Sequence, residues 1–251
     1  MHKLFYELLQ VAAGQLDCLS RGPSPEEWQS LHDTAVRQQL TAVAYRGVEK
    51  LFEFGLRAPQ DLAIDWMAEA EEAPDYIDGE LQLPLCPAVS INEYIGAGGR
   101  RASANPLTNW RLKRWFNEIV YRTQSQQVYT SLSSSTLRVF LLVMQLRQEF
   151  RKGPINLRQL TDLFFLLKEA NGRLEPFPNG TTLQQALFSF RLWRFSQGLM
   201  WVLKETFALE RKLMTGEPKE REGRFILHDT MADRRHTWYY VRHFPLSMLL
   251  C

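Results

Sequence analysis

The sequence predicts a mainly α-helical fold, a helical bundle with at most a small β-strand or hairpin around residues 77–91. Apolar residues recur at three- and four-residue spacing through most of the 251 residues, which is the period of a helix with one buried face. Stretches in which apolar and polar residues alternate, as they do in strands, are short and lie within residues 74–106. That segment also holds four of the twelve prolines, which interrupt helices.

These patterns predict three regions along the chain. They are an N-terminal helical region 1–73, a Gly/Pro-rich connector 74–106 with short strands at most, and a C-terminal helical region 107–251. In the first region Ser24 precedes Pro25 and two glutamates, which is the residue order of a capped helix start. Helical spacing continues on both sides of this start and predicts further helices, the last of which ends before Pro74. We assign the aromatic residues of this region to the core.

The connector predicts a strand or hairpin near Glu80 to Leu85 and then a glycine-rich turn. We expect it to be the most mobile internal segment of the chain, because closing a longer loop adds little free energy. Limited proteolysis should therefore cut first near Arg100 and Arg101.

The C-terminal region begins with a helix that interleaves basic and aromatic residues over 109–116. The segment 137–150 is apolar on nearly all sides and predicts a central buried helix. The turn at Gly153 and Pro154 then leads into a helix over 156–170, which we expect to pack antiparallel to the buried one. These two helices should form the centre of stability.

The remaining sequence predicts two more helices with a bend near Gly198, since glycine weakens a helix. A last helix follows, and the pattern of the tail over 236–251 fits either a strand or a helix.

Composition excludes several classes of protein. A hydrophobic fraction of 45% and a charged fraction of 23% are ordinary for a globular domain. Thirty basic and 28 acidic residues give a formal charge of +2, so we expect no general affinity for nucleic acid. Cys18, Cys86 and Cys251 are far apart and form neither a disulfide framework nor a metal cluster. Without a long apolar run or a signal-peptide pattern, we expect a soluble, cytoplasmic protein with no membrane partner.

Asp75, Asp78 and Glu80 are a compact acidic group near the predicted strand. Carboxylates that converge on one point can hold Mg²⁺ for nucleotidyl transfer, so these are the candidate catalytic residues. A spacing of three residues between the two aspartates suits a solvated turn better than one strand face, and we favour the turn.

Gly98, Gly99, Arg100 and Arg101 are candidates for holding the phosphates of a cofactor. A phosphate-binding loop needs glycines that follow a strand and open a helix, so that backbone amides point at the anion. Here the next predicted helix begins several residues later, and we favour a plain flexible loop. The five histidines show no zinc-binding spacing, so no metal site is expected.

The basic and aromatic helix over 109–116 could stack on and neutralise nucleic acid, or dock a protein partner. A structural alternative is an amphipathic helix whose arginines cover apolar surface. On a nearly neutral chain we expect no nucleic-acid partner, and a protein partner stays open.

Three ordered segments carry a resemblance to a known family. They are "LFYELLQVAAG" near the start, "NPLTNWRLKRWFNE" from residue 105, and "TLRVFLLVMQLRQEFRKGPINLRQLTDLFFLL" from residue 136. Together with their surroundings they resemble the nucleotidyltransferase family proteins of Bacteroides-type bacteria, in the polymerase-β-like transferase superfamily. The resemblance covers most of residues 3–73 and 105–230. It implies a catalytic α/β core between the first two segments, where aspartates of a Gly-Asp-Ile-Asp strand hold the metals that activate an NTP.

This chain has no Gly-Asp-x-Asp sequence, and Met144 and Gln148 stand where the resemblance implies histidine. We therefore predict a catalytically degenerate member of the family, a helical scaffold or binding remnant that needs no cofactor. One alternative is an active enzyme that uses Mg²⁺ to move a nucleoside monophosphate from an NTP to a small hydroxylated acceptor. A second alternative is a helical interaction module that uses the 109–116 helix.

Arg158 and Asp162 lie four residues apart in the third resembling segment. The resemblance implies that Arg158 could approach the phosphate of a nucleotide, which makes it a further candidate for cofactor binding. Without the catalytic core we instead assign both residues to an exposed ion pair, with Asn156 as the N-cap of their helix.

Overall fold

The fold is mainly α-helical, as predicted. The computed structural model describes residues 2–73, 76–77, 80–86, 90–95, 101, 103, 105–125 and 134–232. Eleven α-helices and one hairpin of two-residue strands form the regular structure of these residues. Arg100, the cysteine at 251 and the tail over 236–251 lie outside the described residues.

The elements follow one another in this order: α1 His2–Ala12, α2 Pro25–Arg37, α3 Thr41–Glu53, α4 Gln60–Glu71, β1 Tyr76–Ile77, β2 Glu80–Leu81, α5 Asn92–Ile95, α6 Pro106–Ser125, α7 Ser135–Lys152, α8 Leu157–Ala170, α9 Leu183–Ser189, α10 Trp193–Phe207, a 3-10 turn Arg211–Leu213, and α11 Glu220–Ala232.

Contacts divide the chain into two compact units. The first unit comprises Met1–Cys86, Asn156–Asp162 and Leu203–Leu209. The second unit comprises Pro87–Ile155, Leu163–Val202 and Glu210–Cys251. Helices α8 and α10 therefore each contribute residues to both units.

In the first unit α1 and α3 pack closely against each other. A Cβ atom on Gly47 would lie 2.7 Å from the backbone oxygen of Leu8, so glycine permits this approach and a larger residue would force the helices apart. The predicted start of α2 is confirmed, since the Ser24 side chain accepts from the Glu27 amide and the Glu27 side chain accepts from the Ser24 amide. The Nζ of Lys50 donates to the last carbonyls of α1 at Val11 and Ala12.

The second unit has an aromatic core around α6 and α7. The Trp115 ring lies at its centre, with the centroids of four phenylalanine rings 4.9–5.4 Å away: Phe116, Phe140, Phe177 and Phe190. Such distances are those of favourable tilted and edge-to-face ring pairs. Helix α7 is buried along most of its length, which confirms the prediction of a central buried helix.

Six apolar residues on α7 and α8 are buried, as expected for helices that we predict to be the centre of stability. This set is Phe140, Leu141, Met144, Leu160, Phe164 and Leu167. Gly153 ends α7 in an extended conformation, and α8 begins four residues later. The prediction that the helices break at Gly153 and Pro154 is thus confirmed.

The predicted bend near Gly198 is wrong. Helix α10 runs without interruption past Gly198, and the break between α9 and α10 falls earlier, where Arg191 has a φ of 58°. Gly198 is a packing position, since a Cβ there would meet Ile226 Cδ1 at 2.9 Å. A glycine inside a helical pattern therefore marks the close approach of α11 to α10 in this chain.

The predicted hairpin is present and minimal. Tyr76 pairs with Leu81 and Ile77 with Glu80 in antiparallel register. Two residue pairs of this kind do not form an independently stable sheet, so the hairpin depends on its surroundings.

Candidate functional site

The first turns of α8 hold the backbone of Leu85 and Cys86. Oδ1 of Asp162 accepts a hydrogen bond from the Leu85 amide at 2.6 Å, and Oδ2 accepts one from the Cys86 amide at 2.9 Å. The Asp162 side chain is on a residue only 6% exposed, so one buried carboxylate satisfies two successive backbone donors. All three residues belong to the first unit.

Arg158 binds the same segment through its carbonyl. Nε and Nη2 donate to the Leu85 oxygen at 3.1 and 2.8 Å, and Nη1 donates to the Gln39 oxygen at 3.1 Å. Asp162 thus binds the amide of Leu85 and Arg158 binds its carbonyl, and we call this arrangement the backbone clamp. The prediction that the two side chains form an exposed ion pair is wrong, because Asp162 is buried and both side chains bind backbone groups.

Burial dominates the electrostatics of the clamp. Burial raises the pKa of the Asp162 carboxyl, although the two amides and the Arg158 guanidinium oppose that rise. Burial, followed by the charge of Asp162, raises the pKa of the Cys86 thiol to about 11. A thiol with this pKa is protonated at neutral pH, and the protonated form is not a nucleophile. What the clamp shows is that α8 binds the backbone of Leu85 and Cys86.

The start of α8 is also held from outside the helix. Asn156 Oδ1 accepts from the Gln159 amide at 3.1 Å, which confirms Asn156 as the N-cap. The Leu157 amide, which has no partner within its own helix, donates to Gln38 Oε1 at 3.1 Å. These bonds fix the end of α8 that carries Arg158.

No local sequence pattern predicts the clamp. More than seventy residues separate its two halves, and Leu85 and Cys86 take part in these bonds through backbone groups. A backbone segment that is bound by side chains elsewhere in the chain leaves no local pattern. The helical spacing of Arg158 and Asp162 showed that they share a face, but not what that face contacts.

The structure describes few of the other predicted site residues. Asp75, Asp78, Gly98 and Gly99 lie outside the described residues, as does Arg100. Glu80 is a strand residue paired with Ile77, and Arg101 is exposed.

Within the described part of the chain, no group of three or more His, Cys, Asp and Glu residues is arranged to hold a metal ion. Among the same residues, no helix is both long and apolar enough to cross a membrane. The Mg²⁺ site of the enzyme alternative thus has no described geometry, and that alternative stays a prediction.

A cavity of about 680 Å³ lies along α11. Its described lining is Glu220, Arg221, Arg224, Phe225 and His228. Glu220 and Arg224 form an ion pair with each other, so the cavity does not present converging carboxylates among these residues.

The outer side of α6 is an exposed surface with both aromatic and basic residues. Leu107, Trp110 and Tyr121 are 70%, 59% and 71% exposed, which is high for large apolar side chains. Their spacing of three and eleven residues keeps them on one side of the helix, and Arg114 lies between them with its guanidinium carbon 5.7 Å from the Trp110 ring centroid. The opposite side of α6 is buried through Leu112, Phe116 and Ile119.

The charge of α6 as a whole is positive. The helix carries four cations, Arg111, Lys113, Arg114 and Arg122, against the one carboxylate of Glu118, a net charge of 4 − 1 = +3. Most of these side chains are exposed. We call the surface formed by Leu107, Trp110, Arg111, Lys113, Arg114 and Tyr121 the basic face of α6. It lies within the second unit.

Comparison with known proteins adds no relative. No family model matches the chain, and neither a curated protein nor a solved structure matches it. The resemblance to nucleotidyltransferase family proteins therefore stays a prediction that depends on the quoted segments alone.

Proposed function

We propose that this chain is a non-catalytic helical binding protein, with the degenerate scaffold that its resemblance to nucleotidyltransferase family proteins implies. Its binding surface is the basic face of α6, and its partner is an acidic amphipathic helix of a protein. The single observation that carries the proposal is the exposure of Leu107, Trp110 and Tyr121 on a helix whose other side is buried.

Exposing large apolar side chains to water is unfavourable, and the core of the second unit does not need these side chains. Trp115 and Phe116 already supply the aromatic residues that α6 contributes to the core. Trp110 and Tyr121 contribute nothing comparable, and large apolar side chains grouped on a surface are typical of interaction sites. Tryptophan, tyrosine and arginine are also the residues most enriched among those that dominate binding energy in protein interfaces.

The geometry favours a helical partner over a nucleic acid. Trp110 and Tyr121 are eleven residues apart, about 16 Å along the helix axis, which is much farther than stacked neighbouring bases. Arg114 already covers the Trp110 ring. An apolar stripe flanked by cations instead matches a helix with its own apolar stripe flanked by carboxylates. The overall charge of +2 gives no further support to a nucleic-acid partner.

The proposal can be tested with a dye-labelled synthetic helix of about five turns that carries leucine and glutamate at helical spacing. Fluorescence anisotropy should show saturable binding that weakens as salt is added, because exposed ion pairs are screened. Trp110→Ala should weaken binding by about tenfold or more, as expected for a central aromatic anchor. Phe188→Ala is the matched control, since Phe188 is also exposed but lies on α9.

Two outcomes would contradict this assignment. A lysine version of the peptide that binds equally well would show that charge does not select the partner. A single-stranded oligonucleotide that binds more tightly than the peptide, and loses binding in Trp110→Ala, would make the basic face a nucleic-acid surface.

The enzyme alternative needs its own experiment. Calorimetric titration with ATP, GTP, CTP or UTP in the presence of Mg²⁺ should show no binding, because the chain lacks the Gly-Asp-x-Asp sequence that would hold the metal. Micromolar binding that Asp78→Asn abolishes would refute the degenerate assignment and favour a nucleotidyltransferase.

A further inference from the structure

Helix α4 presents a surface that is the chemical complement of the basic face of α6. Its inner side is buried through Leu62, Trp66 and Ala70. Its outer side carries Ile64 and Met67, which are 52% and 39% exposed and lie three residues apart.

Carboxylates surround these two apolar residues. Between residues 60 and 72 the chain has five acidic residues and neither lysine nor arginine, and all five are exposed. We call the surface formed by Asp61, Ile64, Asp65, Met67, Glu71 and Glu72 the acidic face of α4. It lies within the first unit.

Three of the five carboxylates over residues 60–72 are placed against the intrinsic field of α4. Glu69 and Glu71 lie in its last turn and Glu72 is its C-cap, while no basic residue lies in that turn. The C-terminal end of a helix carries partial negative charge, so carboxylates there are unfavourable and a cation brought beside them is stabilising. Within the described part of the chain, no hydrogen bond or ion pair engages the carboxylates of Asp61, Asp65 or Glu71.

We propose that the acidic face of α4 in one copy of this chain docks on the basic face of α6 in a second copy. The proposal rests on the proposed function and names its partner: the acidic amphipathic helix is supplied by the chain itself. Charge complementarity carries the argument, since residues 60–72 hold five acidic residues without a lysine or arginine and α6 has a net charge of +3. Each face also has exposed apolar residues, such as Ile64 on α4 and Trp110 on α6.

The contact is heterologous, because two different surfaces meet. Helix α4 is about 18 Å long, so the buried area is small and the association is weak and concentration-dependent. The apolar pairs should give the contact its salt-resistant part, and the ion pairs should make it weaken as salt is raised.

Sedimentation velocity of the full chain, from about 5 to about 500 µM protein, spans the range in which such contacts populate. Arg114→Glu and Asp65→Lys should each weaken self-association by about tenfold, because each places like charges opposite one another. The double variant, Arg114→Glu with Asp65→Lys, should recover it, since the two charges are exchanged. Arg46→Glu and Glu53→Lys make the same charge changes on exposed positions of α3 and should leave association unchanged.

Recovery in the double variant distinguishes docking from a folding defect, since a misfolded single variant is not repaired by a second charge reversal. The proposal is overturned if wild type sediments as a monomer at every concentration, or if the double variant associates no better than either single one. The synthetic helix keeps the two proposals apart. A monomeric chain that still binds the peptide through Trp110 refutes self-association alone, and a chain that binds neither refutes both.

Discussion

Removal of the Asp162 carboxylate is the sharpest test of the backbone clamp. In Asp162→Ala the amides of Leu85 and Cys86 lose their acceptors, and the Leu85 amide is buried. An unsatisfied buried donor costs about 1–3 kcal/mol, and the partly buried Cys86 amide should cost less. The loss is offset in part because the variant no longer buries a carboxylate, whose raised pKa shows that its burial is unfavourable. We therefore expect a net loss of about 1–3 kcal/mol in the free energy of unfolding.

Urea unfolding followed by far-ultraviolet circular dichroism gives this free energy by linear extrapolation. Glu169→Ala is the matched control, because Glu169 is a carboxylate on the same helix whose partner Arg138 is also exposed. It should cost less than about 1 kcal/mol, as exposed ion pairs do. If Asp162→Ala falls within about 0.5 kcal/mol of wild type, water replaces the carboxylate without loss and the clamp is not a structural tie.

Three further predictions follow from particular side chains. Burial raises the pKa of the Glu7 carboxyl, but two hydrogen bonds from Ser20 and the nearby Lys3 together outweigh burial, so the pKa is lowered. The stabilising effect of the carboxylate is therefore present above the unfolded pKa of 4.5 and is lost as pH falls through the folded pKa. Urea unfolding at about pH 6 and about pH 3 should therefore show a smaller acid loss in Glu7→Gln than in wild type. Iodoacetamide at about pH 8, with sites read by mass spectrometry, should modify exposed Cys18 well before Cys86, of which only about 0.1% is thiolate at a pKa of about 11. Equal rates would contradict the raised pKa of Cys86. Phe164→Ala should cost about 3–5 kcal/mol and Phe188→Ala, on an exposed ring, less than about 1, and a neutral Phe164→Ala would show that α8 is not central to the core.

Much of the fold could be predicted because helices depend on residues that lie close together in the sequence and recur at a regular spacing. The capped start of α2 needs four neighbouring residues, and the buried side of α7 needs one apolar residue in every turn. The prediction of a bend at Gly198 is wrong because glycine has two opposite effects: it weakens an isolated helix, and it lets two helices approach closely. Only the position of Ile226 against it decides between them.

The candidate site was less predictable, for a physical reason. The exposed stripe of α6 has helical spacing, so the sequence predicts the basic and aromatic helix. The sequence does not predict which of its tryptophan rings is buried, since Trp110 and Trp115 are the same residue type and differ only in the side of the helix they occupy. The clamp depends on a carboxylate that meets a backbone segment far along the chain, and backbone groups are the same in every sequence.

The backbone clamp gives Arg158 and Asp162 a structural role that does not depend on the nucleotide chemistry that the resemblance implies. Arg158 and Asp162 are the charged residues of the Leu-Arg-Gln-x-x-Asp sequence over 157–162, on which part of the predicted resemblance to nucleotidyltransferase family proteins depends, and both bind the backbone of Leu85. A guanidinium that donates three bonds to carbonyls has a structural role that needs no nucleotide. A buried carboxylate that accepts two amide bonds has one as well. The Leu-Arg-Gln-x-x-Asp sequence is therefore as well explained by folding as by catalysis, and likeness in that segment does not by itself support an active enzyme.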